Sequence, residues 1–303
     1  MAYRFRAKDR TVEEAVRRIA HEQVDGAIHA IDARHASVAT HEARKCCKKV
    51  RALLRLVRPA FPDYAQENRD FRDIARSLSG SRDAKVLLDT CDLLIEGAPT
   101  DADTELFLPL RRRLARDLAK QAHGDDAAAH LKAARKLLEK AQARCRRWTL
   151  EHDGWDALGE GLCRIVRDAR KAERQVQAEP SAMHYHELRK LMKYHWYHTR
   201  LLVPLWPETM APRAAELSRL ADELGLHHDI CVFEQWLGAA LPTLEGFDVA
   251  ENLLPLAGER RRQLEARIAP QAARALAQKP AELADHWRAL WCIWRSEAAD
   301  EED

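Results

Sequence analysis

Two stretches of the chain carry one arrangement of cationic side chains: HEARKCCKKVRALLRLVRP over 41–59 and HELRKLMKYHWYHTRLLVP over 186–204. Each opens on His-Glu-x-Arg-Lys, places a lysine three residues later and an arginine seven beyond it, and closes on proline. Arginine offers a planar fork to two phosphate oxygens, and lysine a mobile point charge. A histidine beside a bound anion is drawn toward its protonated form and supplies a further donor. His41 and His186 each fall in the first turn of a predicted helix, where the macrodipole also favours anions. Phosphate recognition is the chemistry that suits these residues. If both imidazoles face the anion, binding tightens below about pH 6.5, the reference histidine value.

On a helical wheel at about 100° per residue, Cys46, Cys47, Val50, Leu53, Leu54 and Val57 form an apolar stripe. His41, Arg44, Lys48, Arg51, Arg55 and Arg58 occupy another face, and Lys45 and Lys49 a third. Seven Lys or Arg between 41 and 58 answer to a single acid, Glu42. A solvated face ordinarily alternates sign, because opposite charges one turn apart stabilise and like charges repel. A helix that forgoes those pairs makes sense beneath a polyanion. Further rows recur at Lys132, Lys136, Lys140 and Arg144, and at Arg164, Arg167, Arg170, Lys171 and Arg174. Arg111–Arg113 and Arg260–Arg262 open two more helices.

Two other readings compete. His184, His186, His195, His198, His227 and His228 crowd one half of the chain, and His195 and His198 are spaced to share an ion, as in a metal-dependent phosphohydrolase. The wheel, however, puts His195 and His198 on the core side. The first-half counterpart of His228-Asp229 is Arg82-Asp83, and arginine does not ligate metal. No nucleophile–base pair and no Gly-rich phosphate loop appears. We therefore expect no catalytic residue, no metal and no cofactor. Tyr194, Trp196 and Tyr197 interleave with Lys193 and Arg200, which would suit base stacking. Eight tryptophans are more simply core residues, so nucleic acid is disfavoured as a partner.

The elements that must position these residues are helices. Helix-period patterning dominates and strand-like alternation is absent, which makes the chain all-α. Helices are predicted at 11–33, 37–58, 64–95, 103–121, 126–149, 155–178, 181–203, 212–241, 248–268 and 281–297, with an acidic, frayed tail over 297–303. The motif is not the only repeat: Arg18-Ile19 returns as Arg164-Ile165, Asp83 as Asp229 and ELFLPL as ENLLPL, each 146 residues on. A tandem duplication follows, with units of about 7–150 and 151–298 in one domain spanning 1–303. Two pseudo-symmetric four-helix bundles are the expected architecture. The net charge is only +2, so any polyanion is held by local clustering. Seven scattered cysteines without a CxxC pair suit buried free thiols in a reducing compartment. The charged N-terminus lacks an apolar leader and no run is long enough to span a bilayer, so a cytoplasmic location without membrane contact is expected.

At His41, Arg44, Lys45 and Lys48, and again at His186, Arg189, Lys190 and Lys193, the sequence resembles the CHAD family, the conserved histidine α-helical domain. GLCRIVRDARKA (161–172) is similar to the family's start of the second unit, and LGLHHD (224–229) to another of its patterns. The resemblance covers essentially the whole chain. It implies binding of inorganic polyphosphate along a basic groove or pore between the bundles, and association with polyphosphate granules. The motifs it marks and the basic rows together give the expected lining: Arg18, His41, Arg44, Lys45, Lys48, Arg51, Arg55, Arg164, Arg167, His186, Arg189, Lys190 and Lys193. No CYTH-like triphosphatase segment accompanies them, and a homo-oligomer is left open. Tyr194, His195 and Trp196 stand where relatives tend to carry Arg or Leu, which makes the second motif the less secure lining.

Overall fold

The computed structural model of the chain describes residues 3–78, 82–97, 100–124, 127–240 and 247–300. It contains eleven described helices: α1 (Val12–Ala33), α2 (Ala36–Leu56), α3 (Tyr64–Ser77), α4 (Arg82–Glu96), α5 (Asp101–Gly124), α6 (Ala127–Cys145), α7 (Gly159–Ala178), α8 (Ala182–Leu202), α9 (Pro207–Ala240), α10 (Phe247–Ala275) and α11 (Pro280–Asp300). Among the described residues there is no strand. No helix is long and apolar enough to cross a membrane.

Local chemistry sets the helix ends. Thr11 caps α1 by accepting from the Glu14 amide at 3.1 Å, and Ser181 caps α8 by accepting from the His184 amide at 3.2 Å. Both motif helices close on a 3-10 turn containing the terminal proline, Arg58–Ala60 after α2 and Val203–Leu205 after α8. A proline has no amide to continue the ladder, so the helix stops there. Four boundaries differ from the sequence reading. The helix expected over 64–95 is divided into α3 and α4, with Leu78 ending the first and 79–81 outside the described residues. Prolines misplaced two ends: α9 opens on Pro207 and runs through Pro212, and α10 runs through Pro255 and Pro270. The acidic tail is helical as far as Asp300, and 301–303 lie outside the described residues.

One group of packed helices is α1, α2, α3 and α6; a second is α7, α8, α9 and α11, with α4 and α10 packed on α9 and α5 against α4 and α10. The two groups meet where α2 packs on α8 and α7. Gly161 makes the second contact possible. A Cβ built there would stand 1.8 Å from the Leu56 carbonyl oxygen, so the backbones of α7 and α2 nearly touch. Trp148, Trp155, Trp287, Trp291 and Trp294 are buried, as the core reading of the tryptophans expects, while Trp206 is exposed. All seven cysteines are free; Cys46, Cys47, Cys91 and Cys145 are buried and Cys292 is exposed.

Candidate anion-binding site

The stripe on α2 lies against α3. Arg44 Nη1 donates to the Ala75 carbonyl at 2.6 Å, and Asn68 Oδ1 accepts from both Arg51 Nε at 3.2 Å and Arg55 Nη1 at 2.7 Å. An amide oxygen, not a carboxylate, thus aligns two guanidinium groups. Arg55 also sits 4.1 Å from the centre of the Tyr194 ring on α8. Burial, with Arg55 and Arg72 nearby, lowers the Arg51 guanidinium from its ordinary value. Lys48 is half-buried and His41 exposed on the same helix.

The stripe on α8 faces α9 in antiparallel register. The His186 ring lies 4.6 Å from that of His228, with Nδ1 atoms 3.3 Å apart, so one ring donates and the other accepts. Arg189 lies along Gly225, where an added Cβ would come to 3.7 Å from Nε. Lys193 Nζ is 3.7 Å from Asp222. Burial first, then Arg189 and Lys190, lower the His186 pKa, which moves its protonation below the pH expected from the sequence.

The remaining candidates are placed differently. Lys45 and Lys190 make matching surface pairs with Glu42 at 3.3 Å and Glu187 at 2.7 Å, contacts of little energetic weight when this exposed. Arg18 is committed inside the first helix group: its fork holds both Asp9 oxygens at 2.7 and 2.6 Å, and it also reaches Glu22. Arg164 is 3.6 Å from Glu160, and Arg167 contacts the Cys163 sulfur. The contacts that join α2 to α8 include none of these three. Single members of the other basic rows are structural. Arg144 bridges Glu67 and Asp70 of α3, Arg111 holds Asp92, and Arg261 holds Glu234 and Glu265. Arg170 donates to the carbonyls of Leu276, Ala277 and Gln278, satisfying the end of α10. The side chains of Arg82 and Asp83 lie outside the described residues.

Apart from the His186–His228 pair, the clustered histidines of the second half go to separate partners. His198 is fully buried and donates from Nε2 to the Ala52 carbonyl of α2 at 2.9 Å. His195, also buried, stacks on Trp287 and has Nε2 3.5 Å from Arg213. His227 bonds Glu265 at 2.9 Å, and His184 bonds the Glu179 carbonyl at 2.7 Å. Among the described residues no group of three or more His, Cys, Asp or Glu side chains is placed to hold a metal ion.

Burial drives the His198 pKa down to about 4, partly opposed by its bond to Ala52. Unfolding frees it to take a proton near the reference value, so the unfolded state binds more protons between about pH 6.5 and 4. Stability is therefore lost as pH falls through that window. The His198 share amounts to roughly 2 kcal/mol by pH 5. His198→Gln keeps an N–H for Ala52 but does not titrate. Its loss of unfolding free energy between pH 7 and 5, measured in urea, is expected to be smaller by that amount. An equal loss in both proteins refutes the assignment.

The sequence marks the motif cations but not what orders them: Asn68 carries no motif signature, and the place of Gly225 against Arg189, although it falls within LGLHHD, is found only by contact. Comparison with known proteins now bears on this geometry. The chain is similar to the crystal structure of the CHAD domain from the plant Ricinus communis, with 18% identity, coverage of 95% of this chain and 96% of that one, and a TM-score of 0.54. At that identity the likeness speaks to the fold. No curated protein matches the chain. The family model of the CHAD domain matches residues 10–238, most of the chain. An all-helical protein whose two His-x-x-Arg-Lys-x-x-Lys helices pack together at its centre thus belongs to the CHAD domain family.

Proposed function

We propose that this protein is a non-catalytic binding module for inorganic polyphosphate, a single domain of two pseudo-symmetric repeats working in the cytoplasm and on polyphosphate granules. The observation that carries the reading is the junction of the two motif helices. α2 and α8, the helices that carry the two basic stripes, are locked together by the His198–Ala52 bond and the Arg55–Tyr194 stack. Several of the cations there are aligned by neutral groups, Asn68 for Arg51 and Arg55, so an approaching anion meets positive charge without first displacing an acid. Phosphate contacts carry no register, so polymer length sets affinity. Release of counterions from the polymer gives a steep salt dependence, by analogy with nucleic acids.

The test is a titration with long-chain inorganic polyphosphate between 50 and 200 mM salt, a range over which polyanion affinities fall by about 10³–10⁵ when 6–10 phosphates are contacted. A steep linear fall of log K with log salt is expected. RNA at equal phosphate concentration should fail to displace the bound polymer. Full displacement by RNA would instead make the site a general nucleic-acid groove.

A further inference from the structure

The contact between the two motif helices contains a second group of cations: Lys49, outside the repeated pattern, and Arg200, the arginine that closes the second copy. Lys49 of α2 and Arg200 of α8 lie over the same ring, Tyr3, at 5.5 and 5.8 Å from its centre. Arg200 also lies 5.1 Å from the Trp196 ring, which Lys193 approaches to 5.5 Å. The result is a continuous ladder, Lys193–Trp196–Arg200–Tyr3–Lys49, leading from the α8 stripe across to α2. Tyr3 is pinned from beneath: its hydroxyl donates to the Lys49 carbonyl at 2.7 Å, and Phe5 N donates to the Leu201 carbonyl at 3.0 Å.

Few acids answer this charge. Lys49 Nζ donates to a neutral amide, Gln23 Oε1, at 2.8 Å, and among the described residues Arg200 is held by rings and by no carboxylate. Asp222 stands near Lys193 and Glu42 near Lys45, one at each end of the ladder. Burial first, then Arg200 and Lys45, lower the Lys49 ammonium from its ordinary pKa, which records the crowding of like charge. The side chains of Lys49 and Arg200 are half-buried, open enough to be reached and dry enough for a charge-assisted hydrogen bond to count.

We infer that Lys49 and Arg200 form an additional phosphate subsite, which carries a long polyphosphate chain across the α2–α8 junction. The inference rests on the polyphosphate reading. It adds that long chains are favoured over short ones because only they reach beyond one motif stripe to this bridge.

The experiment compares wild-type protein, K49Q/R200Q and K49R/R200K in titrations with long-chain polyphosphate and with inorganic triphosphate over a salt series. K49Q/R200Q is expected to bind the long polymer about tenfold more weakly, with a log K against log salt slope shallower by about 1–2. Its triphosphate affinity stays within about twofold, and K49R/R200K, which disturbs the same packing but keeps both charges, retains the wild-type slope. An unchanged slope in K49Q/R200Q overturns the subsite. So does an equal loss of slope in K49R/R200K, which would make the ladder packing alone. Wild-type protein that ignores polyphosphate overturns the underlying reading, and the subsite with it.

Discussion

Replacing Arg44, Lys48, Arg189 and Lys193 together with glutamine is expected to weaken long-chain polyphosphate binding at least 100-fold, about 2.8 kcal/mol. Each charge-assisted contact to an anion is worth roughly 1.5–3 kcal/mol and such terms are not additive, so the figure is a lower bound for four. The salt slope should fall by about 3–4, close to one per cation removed. Glutamine is the right replacement because the structure argues against charge reversal at Arg44. That side chain is half-buried and donates to the Ala75 carbonyl at 2.6 Å, where a carboxylate would meet an acceptor instead. Equilibrium titration measures the affinity, and a circular dichroism melt checks that the helices persist. A loss of less than about threefold, roughly 0.6 kcal/mol, in a folded variant would remove these stripes from the binding surface.

Gly161→Ala is expected to lower stability by a net 2–3 kcal/mol, roughly, even though alanine is intrinsically the better helix former by about 1 kcal/mol. The reason lies in the close approach of α7 to the end of α2. The new methyl would stand 1.8 Å from the Leu56 carbonyl oxygen and 2.8 Å from that of Arg55. These are backbone atoms, and no rotamer change can relieve the overlap. The two helices must separate, which opens the core beside Leu56 and Leu162, both fully buried. For a chain this size the loss corresponds to a fall in Tm of about 3–5 °C. A variant melting within about 1 °C of wild type would show that α7 and α2 are farther apart than described.

Much of this was legible along the chain. Apolar residues at helical spacing marked the helices, because a helix buries one stripe whatever its partner. The core placement of His195 and His198 also followed from the wheel, and both are fully buried. Gly161 was visible as part of GLCRIV, but its role was not, since close approach is a property of two helices. The division of 64–95 escaped notice because the periodicity continues through LSGSRD. Proline misleads in the other direction: it suggests a helix start at 212 and a helix end before 270, whereas α9 begins at Pro207 and α10 runs through Pro270, since packing along a long buried face outweighs one lost hydrogen bond.

The sequence by itself determined an all-α chain, two copies of a cationic motif and the family to which they belong. It could not separate cations that face an anion from those that hold the fold, since both are written as the same arginines at the same spacing. Tertiary structure made that division. Arg18, Arg144 and Arg261 met carboxylates brought from other elements, Arg170 met the end of α10, and Arg51 and Arg55 met the Asn68 amide, with Arg55 also on the Tyr194 ring. The physical reason is that a charge is neutralised by whatever lies within a few ångströms of it in space, and neighbours 74 to 108 residues away along the chain leave no mark in local periodicity.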